Sequence, residues 1–237
     1  MKEFLENLKN KTLNPEAVIT PIHVEFDEED IPVKRGEVLR YAGYPAAVLR
    51  TKGDGKNDES YIEVPTDEEL ASRLESVVGL CKGELTYRIS YCFFQLNRDA
   101  DGFPILPFEQ HSKDLKKNLE NCSAVIIVAA TIGAGIDRLI RRYERTQVAT
   151  GLLLQGIGAE RVESLVDLFN DEVNSNAAEF GLKAHPRYSP GYGDLPISVQ
   201  PHLLKLLDAE KRLGITLNAS YMMSPSKSVT AIIGIEA

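Results

Sequence analysis

The segment Arg187-Tyr188-Ser189-Pro190-Gly191-Tyr192-Gly193-Asp194 has the residue types best suited to hold a ligand. An arginine stands three residues before a Pro-Gly pair, and two tyrosines bracket that pair. Proline lacks a backbone donor and glycine carries an entropy cost, so this stretch makes a poor helix and a poor central strand. It reads as a stiff, exposed loop offering a cation, free backbone groups and aromatic faces. A small zwitterionic aromatic ligand can use all three. Upstream, Val162, Leu165, Val166, Phe169 and Val173 recur at helical spacing, with Glu172 at the edge of that inward face and Asp167 and Asp171 on the outer one. A carboxylate near a core needs a partner, because an unpaired buried charge is costly. For Glu172 that partner is either a protein arginine or the ammonium group of a ligand.

Other chemistry is sparse. His23, His111, His185 and His202 show no metal spacing, and Cys81, Cys92 and Cys122 form no CxxC pair, so no metal site is expected. No Ser-His-Asp or Cys-His arrangement can be placed, and no catalytic residue is assigned. Asn97-Arg98-Asp99-Ala100-Asp101-Gly102 mimics half a calcium loop, but Phe108 stands where a glutamate is required, so it reads as a hairpin turn. Gly133-Ala134-Gly135 follows a buried strand and opens a helix, as a phosphate- or cofactor-binding loop does. It lacks the third glycine and the acidic residue of that pattern, which favours a structural turn. Arg138, Arg141, Arg142 and Arg145 share one helical face, either a solvated basic face or a docking stripe for an acidic partner or an anionic cofactor edge.

The elements that must position these groups read as follows. A helix over Lys2 to Lys9 and a strand through Val18 to Phe26 precede a short helix near Glu37 to Tyr41. Thr51 to Ser60 reads as a loop, and Thr66-Asp67-Glu68-Glu69 as a capping box that starts a helix ending at Gly83. Strands are expected over Glu84 to Leu96 and, apolar enough to be central, over Ser123 to Ala130. Ser112 caps a helix to about Glu120. Helices are expected over Gly135 to Gln155, Ala159 to Phe180 and Ser198 to Leu213, with Pro201 in the first turn of the last. Ile215 to Met222 and Ser228 to Ile235 read as a hairpin around Ser224-Pro225-Ser226. Strands and helices do not alternate strictly, so the fold class is α+β: a mainly antiparallel sheet with helices packed against it, on one side. Residues 1–237 read as a single domain. A net charge of -8 argues against general nucleic-acid binding. No apolar run has the length of a membrane span and no secretory leader is visible, which points to the cytoplasm and to reduced cysteines.

Arg187 to Asp194 resembles the Arg-x-x-Pro-Gly-Tyr segment of the reactivation module of cobalamin-dependent methionine synthase. Downstream, Ser220-Tyr221-Met222-Met223-Ser224-Pro225-Ser226-Lys227-Ser228-Val229 resembles that module's Ser-x-x-Met-x-Pro-x-x-Ser-Val hairpin, in the same order and at similar spacing. Val128 to Arg142 and Glu37 to Tyr44 resemble small stand-alone relatives of the module. The resemblance implies a stand-alone activation subunit that binds S-adenosylmethionine and supports reductive methylation of inactive cob(II)alamin. The cobalamin would be carried by a partner, a cobalamin-binding methionine synthase or another corrinoid protein, and the electron would come from a flavodoxin-like or ferredoxin-like donor. It implies that Arg187 pairs with the ligand carboxylate and that Ser189, with Tyr188 and Pro190, presents backbone groups to the adenine. Gly191 would allow close approach, Tyr192 would face the reacting region, and Glu172 is the candidate for the ammonium. The chain departs from the module in having no tryptophan, in carrying Gly193-Asp194-Leu195-Pro196 where Pro-Ala-Cys-Pro is usual, and in ending soon after the Val229 strand. Those departures imply a more open pocket, a weaker one, or one adapted to another corrinoid protein. Two alternatives stay open: a non-catalytic corrinoid-protein partner that has lost S-adenosylmethionine, and an independent methyltransferase using Gly133-Ala134-Gly135.

Overall fold

The computed structural model describes residues 1–10, 20–45, 49–52, 62–65 and 67–237. In chain order its elements begin with α1 (Lys2–Lys9), β1 (Ile22–Phe26), α2 (Arg35–Tyr41), β2 (Leu49–Lys52), β3 (Ile62–Pro65) and α3 (Glu68–Cys81). They continue with β4 (Tyr87–Gln95), β5 (Asn97–Arg98), β6 (Pro104–Ile105), α4 (Lys113–Asn118), β7 (Cys122–Thr131), α5 (Gly135–Tyr143) and α6 (Val148–Glu179). The C-terminal part holds β8 (Lys183–Ala184), α7 (Gln200–Leu206), α8 (Ala209–Leu213), β9 (Thr216–Leu217), β10 (Met223–Ser224) and β11 (Ser228–Glu236).

The main sheet runs β1-β4-β7-β11-β8, and every pairing in it is antiparallel. The apolar run expected to be a central strand is β7, flanked by β4 and β11. Its side chains alternate between two cores. Ala124, Ile126, Val128 and Ala130 join α1, α2, α3, α5 and α6 on one face. Val125, Ile127 and Ala129 join α4, α7 and α8 on the other. Helices therefore cover both faces, not one. The continuous run of β7 is the physical trace of that, since a strand buried on both sides has no polar alternation. Among the described residues, no helix is long and apolar enough to cross a membrane.

Local chemistry explains most element ends. Asp67 caps α3 by accepting from the Glu69 and Leu70 amides; Thr66 lies outside the described residues, as do 53–60 of the expected loop and Val18 and Ile19 of the expected first strand. Thr51 and Lys52 belong to β2 rather than to a loop. Ser112 caps α4 through the Leu115 amide. The Asp99 carboxylate accepts from the Asp101 and Phe103 amides and so shapes the β5–β6 hairpin turn. The three cysteines are buried free thiols. Burial pushes Cys81 and Cys92 up to about 12 and Cys122 up to about 11.

Three expected boundaries move. The first of two expected long helices stops at Tyr143, and α6 then runs unbroken through Gly156-Ile157-Gly158. Those glycines are contact points and not breaks. A Cβ on Gly156 would run into the Val38 carbonyl oxygen and the Ala42 side chain on α2, and one on Gly158 would sit 2.9 Å from Ile136 and 3.0 Å from Lys227. The expected Ser198–Leu213 helix is broken at Asp208, whose φ of 49° is left-handed, into α7 and α8. The expected hairpin between Ile215–Met222 and Ser228–Ile235 does not form. β9 pairs with β10 across a turn held by the Asn218 side chain, which accepts from the Ser220 and Met222 amides, while β11 pairs with β7 and β8.

Candidate functional site

The Arg187 loop is laid against the outer edge of β11. The His185 amide donates to Gly234 O, and Tyr188 exchanges two 2.8 Å bonds with Ile232. Pro190 cannot donate, so the ladder stops there and the chain turns away. The turn closes on itself: Gly191 N donates to Leu195 O, Tyr192 N to Ser189 O, and Leu195 N to Tyr192 O. Gly191 supports it with a φ of 90°. Because Ile232 bonds outward, the alternation of an antiparallel ladder points the N–H and C=O of Thr230 to the same edge, beyond the last pair. Among the described residues no strand pairs with these Thr230 groups, and the residue itself is buried, 3% exposed.

Two carboxylates tie this loop region down. Asp194 takes the N-terminal turn of α4, accepting from the Ser112 hydroxyl, the Lys113 amide at 2.8 Å and the Asp114 amide at 3.2 Å. Its own amide donates back to Asp114. The bond from Ser112, with the two amides, holds the Asp194 carboxyl below its ordinary value. Gly193 must be small here, since a Cβ would collide with the Asp114 carboxylate and the Tyr188 hydroxyl. Asp137 on α5 does the same for the second segment, accepting from the Ser226 amide at 3.0 Å and from its hydroxyl at 2.5 Å.

Between the two segments lies a groove of about 460 Å³. Arg187, Tyr188, Ser189, Pro190 and Tyr192 line it from one side, and Tyr221, Met222, Met223 and Ser226 from another. Ser228, Val229 and Thr230 also line it, as does Glu163 beside Arg187. Tyr192 and Met222 are 69% and 60% exposed, so their apolar surface is free for a ligand or a partner. Arg187 donates to Asp167 through Nη1 and to Glu163 through Nη2, both at 2.8 Å. Burial would lower this guanidinium, but the two carboxylates outweigh it and hold it above its ordinary value. Two of its donors are thus used, and the remaining edge of the five-donor fork is left for a ligand.

Five of the seven expected site residues meet at this groove. Gly191 shapes the loop without lining the cavity. Glu172 does not line this groove. It is exposed on α6, nine residues past Glu163, which at the α-helical rise is about 13 Å farther along the axis. The core-facing neighbour at that turn is Val173, and Glu172 forms no ion pair among the described residues. The carboxylates that do reach Arg187 are Glu163 and Asp167; of these the sequence marked only Asp167, as a residue of the outer helix face.

Gly133-Ala134-Gly135 is a structural turn. Gly133 has a φ of 76°, its amide donates to Thr131 Oγ1, and a Cβ on Gly135 would overlap the Glu84 carbonyl. Glycine is needed at position 135 for the close approach of the Glu84 backbone. A larger cleft of about 920 Å³ lies between the β5–β6 hairpin and α4. Its best-placed cations have structural duties: Arg98 donates to the Leu119 and Cys122 carbonyls, and Lys116 donates to Asp101 O and sits 4.6 Å over the Phe103 ring.

The model of the family described as "Vitamin B12 dependent methionine synthase, activation domain" matches residues 113–236, which include α4, Arg187, both groove segments and β11. The solved structure described as "Crystal Structure of the MetH Reactivation Domain bound to AdoHcy" is similar over 97% of this chain and 85% of that one, with a TM-score of 0.62 and 15% identity. At that identity the likeness is one of fold. No curated protein gives a significant match.

Proposed function

Since the chain belongs to the family of vitamin B12-dependent methionine synthase activation domains, we propose that it is a stand-alone activation subunit whose groove binds S-adenosylmethionine. The observation that carries this is the convergence of two segments far apart in the chain, Arg187–Tyr192 and Tyr221–Thr230, on one groove with an arginine fork at its rim. Arg187 binds the amino-acid carboxylate with its unused donors, a planar fork being suited to that group. Glu163, beside it, takes the ammonium. The Thr230 backbone, which no strand pairs on its outer edge among the described residues, and the groups around Ser189 offer donors and acceptors to a purine edge, and the Tyr192 ring flanks the opening. A volume of this order suits a ligand of that size.

The cofactors supply the chemistry: a methyl group passes from S-adenosylmethionine to a partner's cobalamin once an electron from a flavodoxin-like or ferredoxin-like donor has reduced it. The chain's own residues orient the donor and leave the groove open on the side where Tyr192 and Met222 are exposed, so that a corrinoid protein can close it. On this reading residues 1–237 act as one unit, in the cytoplasm. Isothermal titration with S-adenosylmethionine is the test. Binding at least about tenfold weaker in Arg187→Ala is expected, the scale of one lost charge-assisted contact. No binding to the unmodified protein at millimolar ligand, or equal binding in the variant, removes the assignment.

One observation favours a second reading. Both terminal nitrogens of Arg187 are engaged by carboxylates of this chain, as expected of a partner protein that keeps the fold and has lost S-adenosylmethionine. Pull-down of a cobalamin-binding methionine synthase separates the two readings. Capture that strengthens with S-adenosylmethionine supports the first, and capture indifferent to it supports the second.

A further inference from the structure

The face that turns from α5 into α6 has a charge and composition unlike the rest of this acidic chain. Arg138, Arg141, Arg142 and Arg145 are all exposed. Arg138 reaches Glu84 at 3.6 Å, while Arg141, Arg142 and Arg145 form no ion pair among the described residues. The nearby acid Asp137 is engaged with Ser226. Next to the arginines, Val148 and Leu152, one turn apart on α6, are 64% and 49% exposed. Unpaired arginines around exposed aliphatic groups have the composition of an interface, where arginine is enriched.

This face is rigid and adjoins the groove. The Thr146 and Gln147 amides both donate to Tyr143 O, and a Cβ on Gly151 would lie 2.9 Å from Glu144 Cα, so α6 starts hard against the turn. Asp137 holds the groove residue Ser226, and Arg141 follows one turn later on the same side of α5. A protein large enough to cover the groove therefore extends over Arg141.

We propose that Arg141, Arg145, Val148 and Leu152 form the docking surface for an acidic face of the protein whose cobalamin is to be methylated. This rests on the reading of the groove given above. The net charge of -8 repels an acidic partner from most directions, so a local basic face selects both the approach and the orientation.

Biolayer interferometry of the full chain against the cobalamin-binding methionine synthase of the same source, in a salt series, tests the proposal. The unmodified protein is expected to bind with an affinity that falls as salt rises. Arg141→Glu/Arg145→Glu is expected to bind at least about tenfold more weakly at low salt and with a flatter salt dependence, the signature of a removed electrostatic contact. Leu152→Ser is expected to weaken binding at every salt concentration. Calorimetric binding of S-adenosylmethionine should be unchanged in both variants, because none of these side chains lines the groove. Partner binding by the charge-reversed protein equal to that of the original overturns the proposal. So does an absence of partner binding, or arginine-dependent binding to phosphatidylserine vesicles in its place. Loss of S-adenosylmethionine binding in Arg187→Ala with no effect on docking marks the two sites as separate, and failure of the groove alone shows up as no ligand binding beside intact, salt-dependent docking.

Discussion

Arg187 is oriented by two carboxylates of α6. Glu163 and Asp167 take one terminal nitrogen each, so the fork enters the groove already fixed. Charge alone does not reproduce this. Arg187→Lys is expected to bind S-adenosylmethionine about as poorly as Arg187→Ala, because an ammonium cannot bridge two carboxylates and still present a planar edge; titration calorimetry of the two variants side by side checks it. Asp194 makes a pH-dependent contribution. Its folded value is depressed, so the stability it gives is present above its unfolded value and is lost as pH falls through the folded one. The difference in thermal midpoint between the unmodified protein and Asp194→Ala should therefore be constant near neutrality and shrink below about pH 4, close to the ordinary carboxylate range. At this scale the loop was legible in the sequence because Pro-Gly and two tyrosines declare an exposed turn. The choice between Glu172 and Glu163 was not. Helical periodicity tells which side of α6 a carboxylate occupies, but not which of its turns meets the loop, and that is settled by the pairing of Tyr188 with Ile232 in another part of the chain.

The glycines of α6 carry the lesson at the scale of elements. Read locally, Gly156 and Gly158 resemble a helix break, since each costs about 1 kcal/mol relative to alanine in a helix. In the structure the helix continues because α2, Ile136 and Lys227 fill the space where side chains would stand. Gly156→Ala is expected to destabilise the protein by about 1–3 kcal/mol, the overpacking against α2 exceeding the gain in propensity. Gly79→Ala, at a helical position with nothing within 4 Å of a Cβ, should instead stabilise it by up to about 1 kcal/mol. Urea denaturation of the pair reads both signs. The same physics hid the partner of β11. A short apolar segment before a Ser-Pro turn looks like one arm of a hairpin, yet strand pairing here follows burial, and β11 is central enough to need β7. Helix starts at Asp67 and Ser112 were legible because a cap is a contact within a few residues.

Across the whole molecule, the early part of the chain is joined to α6 by a buried charge cluster. Arg161 donates to the Ile31 and Pro32 carbonyls and to the Glu160 carboxylate, which also accepts from Ser164 Oγ and the Lys34 amide. Both charged side chains are almost fully inaccessible. Glu160→Ala leaves a guanidinium in the core without its counter-charge, and a loss of about 3–5 kcal/mol is expected, a large share of the 5–15 kcal/mol that typically separates folded from unfolded domains. Chemical denaturation measures it directly. The solid apolar run of β7 marked a buried strand, although helices were expected on one side of the sheet only, and a cluster that joins residues some 130 positions apart leaves no local trace.

The groove also bears on how the protein behaves in a crowd. At Thr230 the outer edge of the sheet has no pairing strand among the described residues, and its surroundings keep the residue only 3% exposed; laid bare, such an edge would recruit the extended segments of other chains. The loop that carries Arg187 already shields the edge as far as Tyr188, so losing the loop would cost solubility even where no ligand is bound. A molecule seated in the groove would add to that shield, so occupancy is expected to lower the tendency to aggregate.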